Sequence, residues 1–178
     1  QEYMPVGVAF GTTDGKTSYV PIDNDVLLAQ GLTLGTFKEI FGRVLEHKKP
    51  IKCGYDTKYM KHVFANVGIN LAGVSDDVML ESYVLEAHRS HTIEKLAANW
   101  LKYELRGEEE LLGKGAKKLS FSQVSVEKAA EFASERVFIV SRLNRLFKKA
   151  LSDDAKLEKI YRDIEMPLSD VLFKMEQN

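Results

Sequence analysis

Between Ile51 and Trp100 the sequence alternates between short extended runs and runs of helical period, and this alternation restricts the fold more than any other feature. Ile51-Lys-Cys-Gly54 is a brief apolar run closed by glycine, the pattern of a buried strand. From Asp56 the apolar residues recur every fourth position, at Tyr59, Val63 and Val67, with Met60 and Phe64 beside them. Asp56 is placed to cap the start of this helix and Gly68 to supply the left-handed residue past its end. Ile69 to Val74 reads as extended, and Asp76-Asp77 open a second helix carrying Val78, Met79, Tyr83 and Leu85. Adjacent carboxylates diverge on a helix, so this pair is read as a cap and not as a catalytic dyad. Helices alternating with extended runs predict an α/β domain with some parallel strand pairing.

The flanks extend the pattern. Val6–Gly11 and Thr17–Ile22 are two strands joined through Asp14-Gly15, a hairpin signal, and Pro21 favours an edge position. Thr33 caps a helix whose inner face is Leu34, Phe37, Phe41, Val44 and Leu45, and Thr92 opens another with Ile93, Leu96, Ala97, Trp100 and Leu101. Residues 106–122 read as a charged, glycine-bearing surface loop. Ser125 caps a long helix to about Leu151, with Ala129, Ala133, Val137, Val140, Leu143, Leu146 and Phe147 in its buried stripe. A last helix from Lys156 contains Pro167, which should kink it or mark a junction. The division expected is 1–155 as the main domain and 156–178 as a helix leading onward.

The chemistry legible without a family is sparse. At 178 residues the chain can bury one proper core, and its 44% hydrophobic and 29% charged content is that of a globular protein. A net charge of -1 gives no global case for nucleic acid. DNA contact would fall to Lys114, Lys117 and Lys118 in the loop and to Arg142, Arg145, Lys148 and Lys149 at the end of the long helix. There, cations also suit the helix dipole. Cys53, the single cysteine, reads as a buried strand thiol, and the four histidines lack metal-ligand spacing. Gly113-Lys114-Gly115 is too short for a phosphate loop. No apolar run reaches the roughly 18 residues of a membrane span.

Asp77-Val-Met-Leu-Glu-Ser-Tyr-Val-Leu85 resembles the D-x-M-L-x-S-Y-x-L segment of the 3′–5′ exonuclease domain of bacterial-type DNA polymerase I. The resemblance continues in order through His91, Leu96-Ala97, Trp100-Leu-Lys102, Gly113-Lys-Gly115, Leu119-Ser-Phe121 and Ala129-Ala130. Ile164-Glu-Met-Pro-Leu168 is similar to the I-E-x-P-L segment where that family passes into its polymerase domain. The resemblance implies a ribonuclease H-like fold: a mixed sheet, antiparallel at one side, flanked by helices.

In that family four carboxylates hold two Mg²⁺ or Mn²⁺ ions for phosphodiester hydrolysis. The motifs are D-x-E on the first strand, an aspartate closing an N-x-x-Y/F-D segment, and Y-x-x-x-D on a later helix. No D-x-E is present, because the chain opens at what the resemblance makes the second strand; with Gln1 at its start it reads as a fragment. Met60 stands at the second motif's aspartate, Phe132 at the third motif's tyrosine and Arg136 at its aspartate. A thioether and a guanidinium cannot replace carboxylates around a hard cation. Met and Arg are not the alanines of a laboratory knockout, so natural decay is expected.

The resemblance therefore implies a vestigial, inactive exonuclease-like domain that needs no cofactor. It would be a structural platform for the polymerase domain of the same chain, in DNA replication and repair. It would be a monomer, would bind DNA weakly if at all, and would lie in the cytoplasm with the nucleoid if bacterial, or in an organelle if eukaryotic. An active proofreading exonuclease, rescued by Asp56 or Glu135, is one alternative. A nucleic-acid- or protein-binding module of the same fold is the other. Met60 and Phe132 should fill the former cleft, with Phe138 a third contact and Arg136 paired with Asp56 or Glu135.

Overall fold

The computed structural model describes residues 4–23 and 31–177. Strands β1 (Gly7–Gly11) and β2 (Thr17–Asp23) form the expected antiparallel hairpin, in register from Gly7 opposite Pro21 to Gly11 opposite Thr17. The turn closes through the Gly15 N–H to the Thr12 carbonyl, with Gly15 at φ 88°. The two-residue β3 (Leu32–Thr33) pairs parallel with Ile22 and Asp23, so β2 is the middle strand. Pro21 is therefore not on an edge strand. It is tolerated because β3 pairs only with the two residues after it, and the ladder asks no N–H of Pro21 there. Helix α1 (Leu34–Glu46) starts at Thr33, whose hydroxyl accepts from the Thr36 N–H. Phe37 and Leu45 are buried, but Val44 is 43% exposed because it has turned past the core-facing arc.

A second sheet pairs β4 (Lys52–Gly54) with β5 (Val74–Asp77) in parallel, the βαβ unit expected from the alternation. Helix α2 (Thr57–Asn66) lies between them, capped by the Asp56 side chain on the Tyr59 N–H and left through Gly68 at φ 71°. The strand sits later than expected: residues 69–73 carry no ladder, and both aspartates of the Asp76-Asp77 pair are strand residues. Among the described residues β4 has a ladder on one side only, through β5. Cys53 is therefore exposed, not buried, and Ile51 is exposed with it.

Helix α3 (Val78–Glu86) follows without a loop. Helix α4 (Ile93–Leu96) runs into a π-turn over Ala97–Leu101 that ends on Lys102 at φ 54°. Within the stretch expected as loop, Glu108–Leu112 form a short helix, α5, whose Glu110 carboxylate accepts from the Gly107 N–H. The long α6 (Val126–Ser152) is capped by Ser125 and buries Ala129, Phe132, Ile139, Leu143, Phe147 and Leu151. The buried stripe is rotated from the expected one, taking in Phe132 and Ile139 and leaving Leu146 exposed. Helix α7 (Ala155–Ile160), a π-turn over Tyr161–Glu165 and α8 (Met166–Glu176) complete the chain. Pro167 lies inside the unbroken helical run 155–176, just after the π-turn, and that widened turn is where the run departs from regular α-helix to accommodate a residue with no N–H. No helix among the described residues is long and apolar enough to cross a membrane.

Two apolar clusters hold these elements. One gathers Ile22, Phe37, Leu45, Phe64, Val67, Ile69 and Leu71 beside the hairpin, and the other packs Val78, Ile93, Leu96, Ala97, Leu105, Ile139, Leu143 and Phe147 around α6. The polar joint of the βαβ unit is Asp77. Its buried carboxylate accepts from the Asp56 N–H (3.2 Å), the Thr57 N–H and hydroxyl (both 2.7 Å), and the Met79 and Leu80 N–H groups (2.9 and 3.3 Å). Its own N–H donates to the Tyr161 hydroxyl at 2.9 Å. One side chain thus caps α3 and also fixes the start of α2. Asp77→Ala strands these donors in a dry site and should cost about 3–4 kcal/mol. Thermal or urea unfolding of the variant measures that loss.

Candidate functional site

The three positions singled out by resemblance lie on α2 and α6. Met60 is partly buried on α2 against the hairpin cluster. Its seat depends on Gly54, where a Cβ would come within 2.8 Å of the Met60 sulfur and 2.9 Å of the Thr57 methyl. Phe132 is buried on α6, its ring 6.0 Å from that of Phe121. Arg136, one turn on, lays its guanidinium carbon 3.9 Å from the Phe132 ring centroid. Its Nη1 donates to the Arg106 carbonyl at 3.0 Å, and its Nη2 donates to the Glu94 carboxylate.

The partner of Arg136 is therefore Glu94, not Asp56 or Glu135. Glu135 is held on the other side, accepting from the Tyr103 hydroxyl and from Arg106 Nε at 3.3 Å. That pairing raises the Tyr103 phenol above its ordinary value, through the hydrogen bond first and the carboxylate charge second. Asp56 is spent on capping α2. Phe138 is not a third contact: it is 41% exposed, with the Arg142 guanidinium 5.8 Å from its ring. Its offset of six residues from Phe132 puts it on the far side of the helix. A cavity of about 530 Å³ opens beside Glu94, walled by Glu108, Glu109, Glu110 and Lys114.

The basic residues expected to meet DNA divide into two kinds. Lys148 is committed to the buried Asp76 at 2.7 Å, Lys149 lies 3.4 Å from Asp153, and Lys114 lies 2.7 Å from Glu109. Lys117, Lys118, Arg142 and Arg145 are exposed and make no ion pair among the described residues.

The Asp76 ion pair belongs to a buried polar group that the sequence reading missed. Lys148 contacts one Asp76 oxygen, and Arg162 Nη2 lies 2.9 Å from the other; Ser75 donates to the first at 2.6 Å. Burial would raise the Asp76 carboxyl, but the Lys148 and Ser75 hydrogen bonds and the charges of Lys148 and Arg162 outweigh it and hold it below 3.8. Glu81, wholly buried, has no cation of its own and accepts from the Asn144 amide at 3.0 and 3.2 Å. Burial, reinforced by the Asp76 charge, pushes Glu81 from 4.5 up to about 8. The spacing Asp77 to Glu81 could have placed Glu81 on the inner face of α3. The cations that reach Asp76 come from α6 and the π-turn, which no local pattern links to it.

The family model for the ribonuclease H-like domain of DNA polymerase I matches residues 5–143. The DNA polymerase I of Pseudomonas aeruginosa is 35% identical over 182 residues, covering 100% of this chain and 20% of that protein. That of Synechocystis sp. is 29% identical over 177 residues, covering 96% of this chain and 17% of the relative. A solved structure described as the POL domain of Pol1 from M. smegmatis in complex with DNA primer-template and dNTP superposes with a TM-score of 0.73. It is 23% identical and covers 96% of this chain and 25% of that one, a likeness that shows the fold. The chain spans about a fifth of the length of the curated relatives it matches.

Glu81 gives the site a definite pH dependence. Its folded pKa lies above its ordinary value. Between about pH 4.5 and 8 the folded state therefore keeps a proton that the unfolded chain has released, and stability falls as pH rises through that window. The loss should be on the order of a few kcal/mol. Asp76 acts oppositely, and its contribution is lost only as pH falls below 3.8. Glu81→Gln keeps a neutral acceptor for Asn144, so its melting temperature should stay nearly flat from pH 5 to about 8.5 while the wild-type value declines.

Proposed function

We propose that this chain, which belongs to the ribonuclease H-like domain family of DNA polymerase I, is an exonuclease-like domain that no longer hydrolyses DNA and instead supports the polymerase domain of its own polypeptide. The observation that carries this reading is the state of Arg136. Where the family resemblance asks for a metal-binding aspartate, a guanidinium is stacked on Phe132 and tied to Glu94 and the Arg106 carbonyl. A cation fixed by three contacts is part of the local structure, and it repels a divalent ion.

The donor set does not fit the two-metal chemistry of the family. Met60 offers a soft thioether, Phe132 offers no donor and Arg136 offers only N–H groups. Of the two carboxylates that could stand in, Glu135 has both oxygens engaged, by Tyr103 and Arg106, and Asp56 has one on the Tyr59 N–H. Among the described residues no three His, Cys, Asp or Glu side chains stand together as a metal-holding group. The acidic wall of the cavity beside Glu94 further disfavours an entering phosphodiester.

DNA contact, on this reading, is weak and electrostatic, since the net charge is -1 and three of the seven candidate cations are already paired. The residues left for it are Lys117, Lys118, Arg142 and Arg145, so the salt dependence should correspond to roughly four phosphate contacts at most. The polymerase domain as partner is supported by the relatives, each a DNA polymerase I several times longer than this chain.

The test is hydrolysis of a labelled 3′-ended single strand with Mg²⁺ or Mn²⁺. No mononucleotide release above the buffer control is expected. Metal-dependent release that disappears on Glu135→Gln would overturn the reading.

A further inference from the structure

The outward face of α6 is charged in two halves of opposite sign. Glu127, Glu131, Phe138, Arg142, Arg145 and Lys149 are all exposed, and their spacing sets them on one stripe of the helix. Neither Glu127 nor Glu131 has an ion pair among the described residues. Lys149 is 3.4 Å from Asp153, an exposed pair that holds it loosely. The helix dipole favours this order of charge but acts within the first and last turns, so it accounts for Glu127 and Lys149 and not for Glu131, Arg142 and Arg145. Phe138, a large ring 41% exposed, stands at the midpoint. Glu131 and Arg145 lie seven residues to either side of it, and Glu127 and Lys149 eleven.

This placement makes the stripe complementary to itself. A two-fold axis at Phe138 lays one α6 antiparallel on another, with Phe138 against Phe138. Glu131 then faces Arg145 and Glu127 faces Lys149, each pair occurring twice, as a two-fold interface requires. Arg142 meets the uncharged Ser134, so no like charges oppose each other along the stripe. A strand of nucleic acid laid along the same face would match the basic half and be repelled by Glu127 and Glu131. We infer that the outward face of α6 is a self-association surface, on which a second copy of the chain binds antiparallel about Phe138, in place of the monomer implied by the resemblance. The stripe is about 33 Å long and one helix wide, roughly 300 Å² per partner. That is well below the ~800 Å² per partner of a standard complex, so the association is weak and reversible. Arg142 and Arg145 are then shared between DNA and the second copy, and each competes with the other.

Sedimentation velocity of the 178-residue chain at rising concentration tests it. At low salt the weight-average mass should climb toward that of two chains, and it should fall back as added salt screens the pairs. Glu131→Arg or Arg145→Glu, each at an exposed position, opposes like charges at both symmetry-related contacts. Either variant alone should associate at least about ten-fold more weakly, with its melting temperature unchanged. An equimolar mixture of the two variants restores opposite charges at both contacts and should associate as the unaltered chain does. The double variant, with the charges exchanged within one chain, should recover as well. A chain that stays monomeric at every concentration in low salt would overturn the inference. So would association that survives either single variant, which would mean that the copies meet elsewhere. Failure of both the mixture and the double variant to recover would overturn the antiparallel pairing about Phe138.

Discussion

The fold depends on one buried carboxylate. Asp77 sits where β5 ends and α3 begins, and its two oxygens take the N–H groups that open α2 and α3 together with the Thr57 hydroxyl. Helix starts leave N–H groups without partners. Here two starts are brought to one anion, which also suits the positive ends of both dipoles. The Tyr161 hydroxyl, reached through the Asp77 N–H, joins the C-terminal helices to the same joint. Tyr161 is wholly buried, and burial holds its phenol far above its ordinary value, so it stays neutral and can act as acceptor at any physiological pH. The βαβ unit and the α7–α8 segment are thereby set relative to each other by hydrogen bonds with little freedom.

Around this joint, charges are handled in two ways. Asp76 is buried but paired with Lys148 and Arg162, so its ionised form is favoured. Glu81 lies nearby without a cation and is held protonated near neutrality. A buried charge needs a partner or must neutralise, and each of these carboxyls takes one of the two courses. Arg136, only partly buried, is stabilised from three directions. The result is a surface on which three of the seven candidate DNA-contact cations, Lys114, Lys148 and Lys149, are already held by carboxylates.

Much of this was legible in the sequence. The hairpin, the caps at Thr33, Asp56 and Ser125, and the parallel unit across Ile51–Asp77 follow from turn, cap and period signals that act locally. The family was legible from ordered motifs, and the family model over residues 5–143 bears it out. What failed had non-local causes. Cys53 lies in an apolar run, but one flank of its strand carries no ladder among the described residues, and Ile51 and Cys53 are exposed. Phe132 and Ile139 displaced the expected stripe on α6 because packing against β1, β2, α3 and α4 selects the face, not hydrophobicity alone. Arg136 found Glu94, 42 residues earlier, where the carboxylates beside the motif positions, Asp56 and Glu135, were the expected partners. Lys148 was read as a surface cation and proves to neutralise a buried aspartate.

The central proposal is chemical: with Met60, Phe132 and Arg136 where the family resemblance asks for metal-binding groups, this chain should hold no divalent ion there. Direct titration of the chain with Mn²⁺, followed by the electron paramagnetic resonance of the free ion, tests it without depending on a substrate or on hydrolysis. The account expects the free-ion signal to rise in proportion to added Mn²⁺ with no saturable site. A stoichiometric site that is lost on Asp56→Asn or Glu135→Gln would contradict it.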